Sequence, residues 1–377
     1  MGHINRTSSG TSLQFLPEAR LEHGFLSTAL PSSHVAVESS DLHPFFLNLL
    51  PEGARLRLLL EASKSKDDSL GLLLKVGWDA IGDVSVLSPG ASLTDHIVAK
   101  QSQLADVNFW DLFYAGVVDQ IDSAVPGVQE KISASTIAFG VRTSNVPTGI
   151  LKLNPERFPL LVQNEKFFLG VAKSSGLEPN RATLVQDRDG NAGLLVERFD
   201  RVKEGKVVRK LHQEDACQLL NTVPAHKYQL SMTNIAEAIS RVCTAPSVEI
   251  LRLLRLYAFS YIIGNGDLHG KNISVLWRET VGLSPAYDIL STLPYPLDRH
   301  MALKLDGRDD NFRAAHFVDF GKRFGVPERA VVLMIQKLCN QIEPWISRID
   351  EIGFEVRTTQ SMQQEIGNRL LLILRQT

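Results

Sequence analysis

Apolar residues recur at helical spacing from Val248 to Ile263, at Ile250, Leu251, Leu254, Tyr257, Ala258, Tyr261 and Ile262. This predicts a buried helix ended by Gly264. A polar, glycine-rich stretch follows and gives way to a strand-like run at Ile273, Val275 and Leu276. Upstream the rhythm is shorter. Val128–Phe139 leads through a turn at Thr143–Gly149 into Ile150–Leu153, where Ile150 and Lys152 share one face and Leu151 and Leu153 the other. A helix comes next, with Glu165 on the face of Phe168, Leu169 and Ala172 and with Gly176 closing it. Arg181–Arg201 reads as a hairpin turning at Asp187–Asn191, and a turn at Glu204-Gly205 leads to Val207 and Val208. From Gln213 the pattern is helical, with strand-like interruptions near Ile273–Trp277 and Met301–Leu305; Ala330–Ile342 and Ile366–Leu374 read as amphipathic or buried helices. Before Phe109, helix-like segments fall at Phe45–Leu50, Gly53–Glu61 and Leu70–Val76, with a hairpin at Ala80–Leu87 turning on Gly82-Asp83. Met1–Ser12 is polar and small, and reads as a mobile tail or a poorly paired edge.

The resulting order is a small N-terminal α/β subdomain over 1–110, a strand-rich lobe over 111–210 and a mainly helical lobe over 211–377, an α+β chain. With 377 residues it can bury more than one core. A net charge of −2 and a pI near 6.6 exclude a global electrostatic footprint for nucleic acid or an anionic membrane. Cys217, Cys243 and Cys339 are far apart and lack ligand spacing, as do His300 and His316, so the cysteines read as buried hydrophobes in a reducing compartment. The N-terminus lacks a secretory pattern and no apolar run matches a bilayer, so the expectation is a cytoplasmic protein with no membrane role. Trp78, Trp110, Trp277 and Trp345 are scattered and read as packing residues.

Candidate chemistry centres on IGNGDLHGKN, Ile263–Asn272, and on PAYDIL. Asp267, Asn272 five positions on, and Asp288 reproduce the spacing used in phosphoryl transfer, where the first acid meets the acceptor hydroxyl and the other two present hard oxygens to Mg²⁺. The bland reading is an ordinary turn at Asn265, Gly266 and Asp267 beside solvated His269 and Lys271. Lys152 lies inside an apolar strand and needs an anionic partner, for which Glu165 is placed; alternatively it snorkels at a strand edge. Ser123–Lys131, SAVPGVQEK, offers consecutive amides that suit an anion nest or the lead-in to a hairpin. Strands first, then helices carrying the acidic loop, is a two-lobed protein-kinase-like layout.

Together these residues resemble the HipA family of serine/threonine kinases, toxins of type II toxin–antitoxin modules. The likeness runs through PFFLNLLPEG, VGWDAIGDVSVL, PGVQEK, ILKL, NEKF, VERFDR, HQEDACQ, NGDLHGKN and AYDI in family order. The resemblance implies Asp267 as catalytic aspartate, Asn272 and Asp288 as Mg²⁺ ligands, and Lys152 on the ATP phosphates with Glu165 as its partner. It implies an adenine-reading hinge at Glu197, Arg198 and Phe199, and Gln213 or Asp200 near the ribose. His269, Lys271 and Tyr287 would line the ATP site, and the Gly127, Val128, Gln129, Glu130 and Lys131 backbone would cover the phosphates. Implied partners are a HipB-like helix-turn-helix antitoxin, operator DNA reached through it, and a protein substrate such as an aminoacyl-tRNA synthetase.

Two departures accompany the likeness. The family's regulatory serine aligns with Ala124 or Pro126, leaving Ser123 as the nearest phosphosite candidate, with Ser133 and Ser135 beyond. The family's opening pair of strands reads as shortened or missing before Leu13, which invites a small companion protein to complete the domain. Two other functions share these motifs: a kinase of a small-molecule or lipid acceptor, and an antitoxin-binding co-repressor without phosphoryl transfer.

Overall fold

A computed structural model of the protein describes residues 2–17, 24–31, 35–53, 56, 59–60, 68–91, 99–118, 137–142, 147–205 and 207–375. Ser123 and the Gly127–Lys131 stretch lie outside these residues, as does much of 53–61.

The N-terminal domain opens with β1 (Gly2–Thr7) and β2 (Gly10–Phe15), paired antiparallel from Gly2↔Phe15 to Thr7↔Gly10. The expected tail is therefore a hairpin, and the opening pair of strands is present. This removes the ground for a companion chain completing it. Alternation could not reveal β1, because its side chains are exposed or half-exposed on both faces. Gly10 is needed where β2 passes the next segment: a Cβ there would stand 2.0 Å from the Ser39 carbonyl oxygen. Two short strands follow, β3 (Phe25–Ser27) and β4 (Leu30–Pro31); then β5 (Val37–Ser39) pairs with the second edge of β2.

Helix α1 is shorter than expected, Pro44–Leu47, and α2 (Ser69–Val76) starts on Asp68, whose carboxylate accepts the Gly71 N–H at 2.8 Å. Leu13, Phe15, Leu26, Leu30, Phe45, Leu73 and Val84 form this domain's core. Ala80–Leu87 is not the expected hairpin. Its carbonyls at Ala80 and Gly82 are taken instead by the guanidinium groups of Arg198 and Arg201, and its Gly82 N–H by Asp200. Side chains from another part of the chain supply the hydrogen bonds a ladder would have made.

The strand-rich lobe contains β6 (Ala99–Lys100), α3 (Phe109–Val118), β7 (Ile137–Arg142), β8 (Pro147–Leu153), α4 (Leu161–Ser174), β9 (Ala182–Gln186) and β10 (Ala192–Glu197). Its sheet has the order β6-β7-β8-β10-β9, so β8 lies centrally. Leu151, Leu153 and Leu195 pack on Phe109, Phe113, Leu72 and Val76, which leaves Lys152 on the opposite face towards α4. The β11 (Arg201–Glu204) and β12 (Val207–Lys210) hairpin carries the chain onward.

The helical lobe begins with a strand that the sequence pattern concealed, β13 (Gln213–Asp215), and continues through α5 (Ala216–Leu219), α6 (Met232–Val242) and α7 (Pro246–Ile263). β14 (Ser274–Trp277) pairs with both β13 and β15 (Val281–Leu283), and α8 (Ala314–Arg323), α9 (Glu328–Ile346) and α10 (Val356–Leu374) complete the lobe. Met301–Leu305 is not a strand; it makes only single bridges at Lys304 and Leu305. The largest core gathers around α7, with Ile250, Leu254, Tyr257, Ala258 and Tyr261 almost wholly buried, and extends to Phe168, Leu169 and Ala172 of α4. The helix carrying Glu165 is thereby seated on the lobe carrying the acidic loop.

Candidate active site

Helix α7 delivers the acidic loop, and Gly264 turns the chain out of it at φ +70°. A side chain there meets two objections: the left-handed backbone and a Cβ 2.5 Å from the Leu293 side chain. Past this turn, Thr292 braces the loop, accepting the Gly266 N–H on Oγ1 at 3.1 Å and donating that hydroxyl to Gly264 O at 2.9 Å. Buried Asn265 joins the two acidic segments. Its Oδ1 accepts the Asp267 N–H at 3.2 Å and its Nδ2 donates to Asp288 O at 3.3 Å. Asn272 donates from Nδ2 to Asp267 O at 3.1 Å, closing the loop on itself. The Asp267 carboxylate receives the Tyr228 hydroxyl at 2.7 Å on Oδ1.

Opposite this loop, Lys152 Nζ donates to both oxygens of Glu165, at 2.7 and 2.9 Å, and to Asp288 Oδ1. The Lys152 and Glu165 side chains are 13% and 4% exposed and that of Asp288 41%, so a buried ion pair meets a half-exposed carboxylate. Burial works against the ammonium charge, but Asp288 and Glu165 outweigh it and raise the Lys152 pKa. Burial, with Asp288 nearby, pushes Glu165 up, while the bidentate contact with Lys152 favours its ionised form. Asp288 takes φ +54°, a left-handed conformation that aspartate tolerates better than most residues.

Around this centre, Tyr287 donates to Lys271 O at 2.5 Å and meets Ser274 Oγ at 2.6 Å, which in turn accepts Gln213 Nε2 at 3.1 Å. Burial raises the Tyr287 pKa, keeping the phenol neutral. Phe199 lies against the Tyr287 ring, with centroids 5.6 Å apart. Glu197 ends β10 opposite Gly149 and is exposed. The side chains of Arg198 and Asp200 are turned elsewhere. Arg198 donates to Asp79, Ala80 and Asp200, and Asp200 is fully engaged by Arg198, Arg201 and Gly82.

Lys271 points towards the N-terminal domain, donating to Asn48 O at 2.8 Å and pairing with Asp215 at 3.2 Å. His269 is buried with its ring edge-on to Tyr228. Sequence reading missed Tyr228, Asn265, Glu52 and Asn48, because each gains its place through a contact with a residue distant in the chain or, for Asn265, by bridging to one. The set fits a metal nucleotide in its donor chemistry: the amide oxygen of Asn272 accepts no hydrogen bond from a described residue, and Asp288 keeps a second oxygen beyond the one on Lys152. Among the described residues no group of three or more His, Cys, Asp or Glu side chains is placed to hold a metal, so such an ion would complete its shell with phosphate and water oxygens.

The HipA-like C-terminal domain family matches residues 123–346, more than half of the chain, and the HipA N-terminal domain family matches residues 1–87. The chain belongs to the HipA family. The chain is 30% identical to "Putative kinase Y4mE" of Sinorhizobium fredii, covering 86% of this chain and 83% of that protein. It is 26% identical to the serine/threonine-protein kinase toxin HipA of Shewanella oneidensis, covering 87% and 82%. In three dimensions it superposes, with a TM-score of 0.76 and 18% identity, on a chain of the Shewanella oneidensis complex of HipA, HipB and operator DNA, covering 99% of this chain and 95% of that one. The two-lobed, kinase-like HipA fold is thus shared by the whole described chain.

Proposed function

We propose that this HipA-family protein is an ATP- and Mg²⁺-dependent serine/threonine protein kinase acting as the toxin of a type II toxin–antitoxin module. The observation that carries the reading is the convergence of Lys152, Glu165 and Asp288, from three separate elements, beside the Asp267–Asn272 loop. Bound Mg²⁺·ATP supplies the transferable phosphoryl group and neutralises charge on it. Lys152, held by Glu165, receives the phosphates, and Asn272 and Asp288 present oxygens to the metal. Gln213 and Tyr287 form the polar wall beside them, and the Glu197–Phe199 backbone meets the base. Asp267 orients the acceptor hydroxyl and takes its proton as the new O–P bond forms and the bond to the leaving diphosphate breaks. Catalysis here is positioning and charge stabilisation, with no covalent enzyme intermediate.

The Shewanella oneidensis complex of HipA, HipB and operator DNA supports the choice of partners. A HipB-like helix-turn-helix antitoxin and, through it, operator DNA are the partners, and a translation enzyme such as an aminoacyl-tRNA synthetase is the acceptor whose phosphorylation arrests growth. The test is incubation of the purified protein and its Asp267→Asn variant with γ-labelled ATP and a cell extract. Labelling of a protein band by the wild type alone supports the reading. Label that is independent of Asp267, or found only in small molecules, overturns it.

A further inference from the structure

The segment Pro224–Leu230, PAHKYQL, has no part in the proposed phosphoryl transfer, yet it lies directly against the acidic loop. Tyr228 donates its hydroxyl to Asp267 Oδ1 at 2.7 Å, and its ring stands edge-on to His269 with centroids 5.0 Å apart. The segment is pinned rather than hinged. The Gly270 N–H donates to Lys227 O at 3.0 Å, and a Cβ on Gly270 would come within 2.6 Å of the Leu230 side chain. The Lys227 ammonium sits 5.4 Å from the centre of the Tyr228 ring and forms an ion pair with Glu52 of the N-terminal domain. Glu52 also faces Lys271, at 3.7 Å, one residue before Asn272.

We infer that Tyr228 is a positioning residue for Asp267 and that Glu52 of the N-terminal domain sets Tyr228 in place. The inference rests on the kinase reading above. The carboxylate torsion of an aspartate is broad and nearly two-fold, so packing on its methylene does not decide which oxygen faces the acceptor. A phenol donating to Oδ1 does decide it, and so fixes how the carboxylate is turned. Because Tyr228 is held by its ring contact, by the backbone bond next to it and by the Glu52–Lys227 pair, it acts as a fixed bracket and not as a lid. The N-terminal domain thereby reaches the reacting carboxylate through three successive contacts.

The test uses the full chain and the principal extract band whose labelling Asp267→Asn abolishes. Tyr228→Phe, which removes only the hydroxyl, is expected to slow transfer to that band at saturating ATP by about tenfold or more, since small misplacements of reacting groups carry penalties of this order. Affinity for a fluorescent ATP analogue should stay within about twofold and the melting temperature within about 2 °C, because the ring and its contacts remain. Glu52→Gln should give a smaller loss in the same rate, and the double variant should match Tyr228→Phe alone, as expected for residues acting in series. Transfer by Tyr228→Phe within twofold of wild type, or faster, overturns the inference. So does a variant that melts lower while transferring normally per folded molecule, since that makes the contact structural. Multiplicative losses in the double variant overturn the part given to Glu52. An extract with no Asp267-dependent band is a different failure: the kinase reading falls, and the inference falls with it.

Discussion

At the scale of single residues, the Lys152 ammonium shows how far chemistry can be read from a pattern. A lysine between leucines of a strand required an anion, and Glu165 was placed to provide it; the structure adds Asp288 as a second partner on the same nitrogen. Removing one member of such a buried pair leaves the other charge without compensation. Lys152→Met is therefore expected to destabilise the protein by about 3–5 kcal/mol. Lys152→Met with Glu165→Leu should recover much of that loss. Urea denaturation of the single and double variants measures both values, and neither variant should transfer phosphate. Tyr228 and Asn265 carry no comparable signal. A tyrosine in a polar loop or an asparagine before a glycine has many uses, and only the fold shows that these two reach Asp267 and bridge it to Asp288.

At the scale of elements, α7 was legible because twelve of its residues are buried, and a helix buried on nearly every side writes its length into an apolar run. Its end was legible too, since Gly264 is required by both backbone and packing. Gly264→Ala is expected to cost more than about 1 kcal/mol from backbone strain alone, with a further cost from displacing Leu293. Melting temperature and transfer rate should fall together, because the same turn aims the acidic loop. The segment Ala80–Leu87 was misread for the opposite reason: its alternation and turn glycine suit a hairpin, but its hydrogen bonds go to Arg198, Arg201 and Asp200. In this cluster the Arg201 guanidinium is fully buried between Asp79 and Asp200. Asp200→Ala strips two buried arginines of their shared carboxylate and is expected to cost about 3–5 kcal/mol in urea denaturation.

At the scale of the whole molecule, the N-terminal domain is fastened to the helical lobe by buried polar contacts. Glu214 is fully buried and accepts Ser27 Oγ, the Thr28 N–H and hydroxyl, and His212 Nε2, while His212 Nδ1 meets Asp83. Burial opposes charge on His212, but hydrogen bonds to Asp83 and Glu214 prevail and raise its pKa to about 9. A folded-state value above the unfolded one means stabilisation that is complete below about pH 6.5 and is lost as pH rises through about 9, at most about 3 kcal/mol. Lys210 works the other way, since burial and the nearby arginines lower its pKa to about 8 and so disfavour folding at lower pH. The difference in stability between wild type and His212→Gln isolates the histidine: it should shrink from pH 6.5 to 9.5, measured by urea denaturation at each pH. Among the described residues no helix is long and apolar enough to cross a membrane.

What the amino-acid sequence determined by itself was whatever depends on neighbours in the chain: the periods of α7 and α4, the strand around Lys152, the glycine stops and the spacing of Asp267, Asn272 and Asp288. Periodicity and spacing are local, and burial on one face or both writes them directly into the order of residues. The tertiary structure alone decided the routing of the Ala80–Leu87 backbone to distant arginines and the engagement of Lys271 and Lys227 by the N-terminal domain. A hydrogen bond or ion pair between residues a hundred positions apart leaves no period behind, so it becomes visible only when the chain has closed on itself.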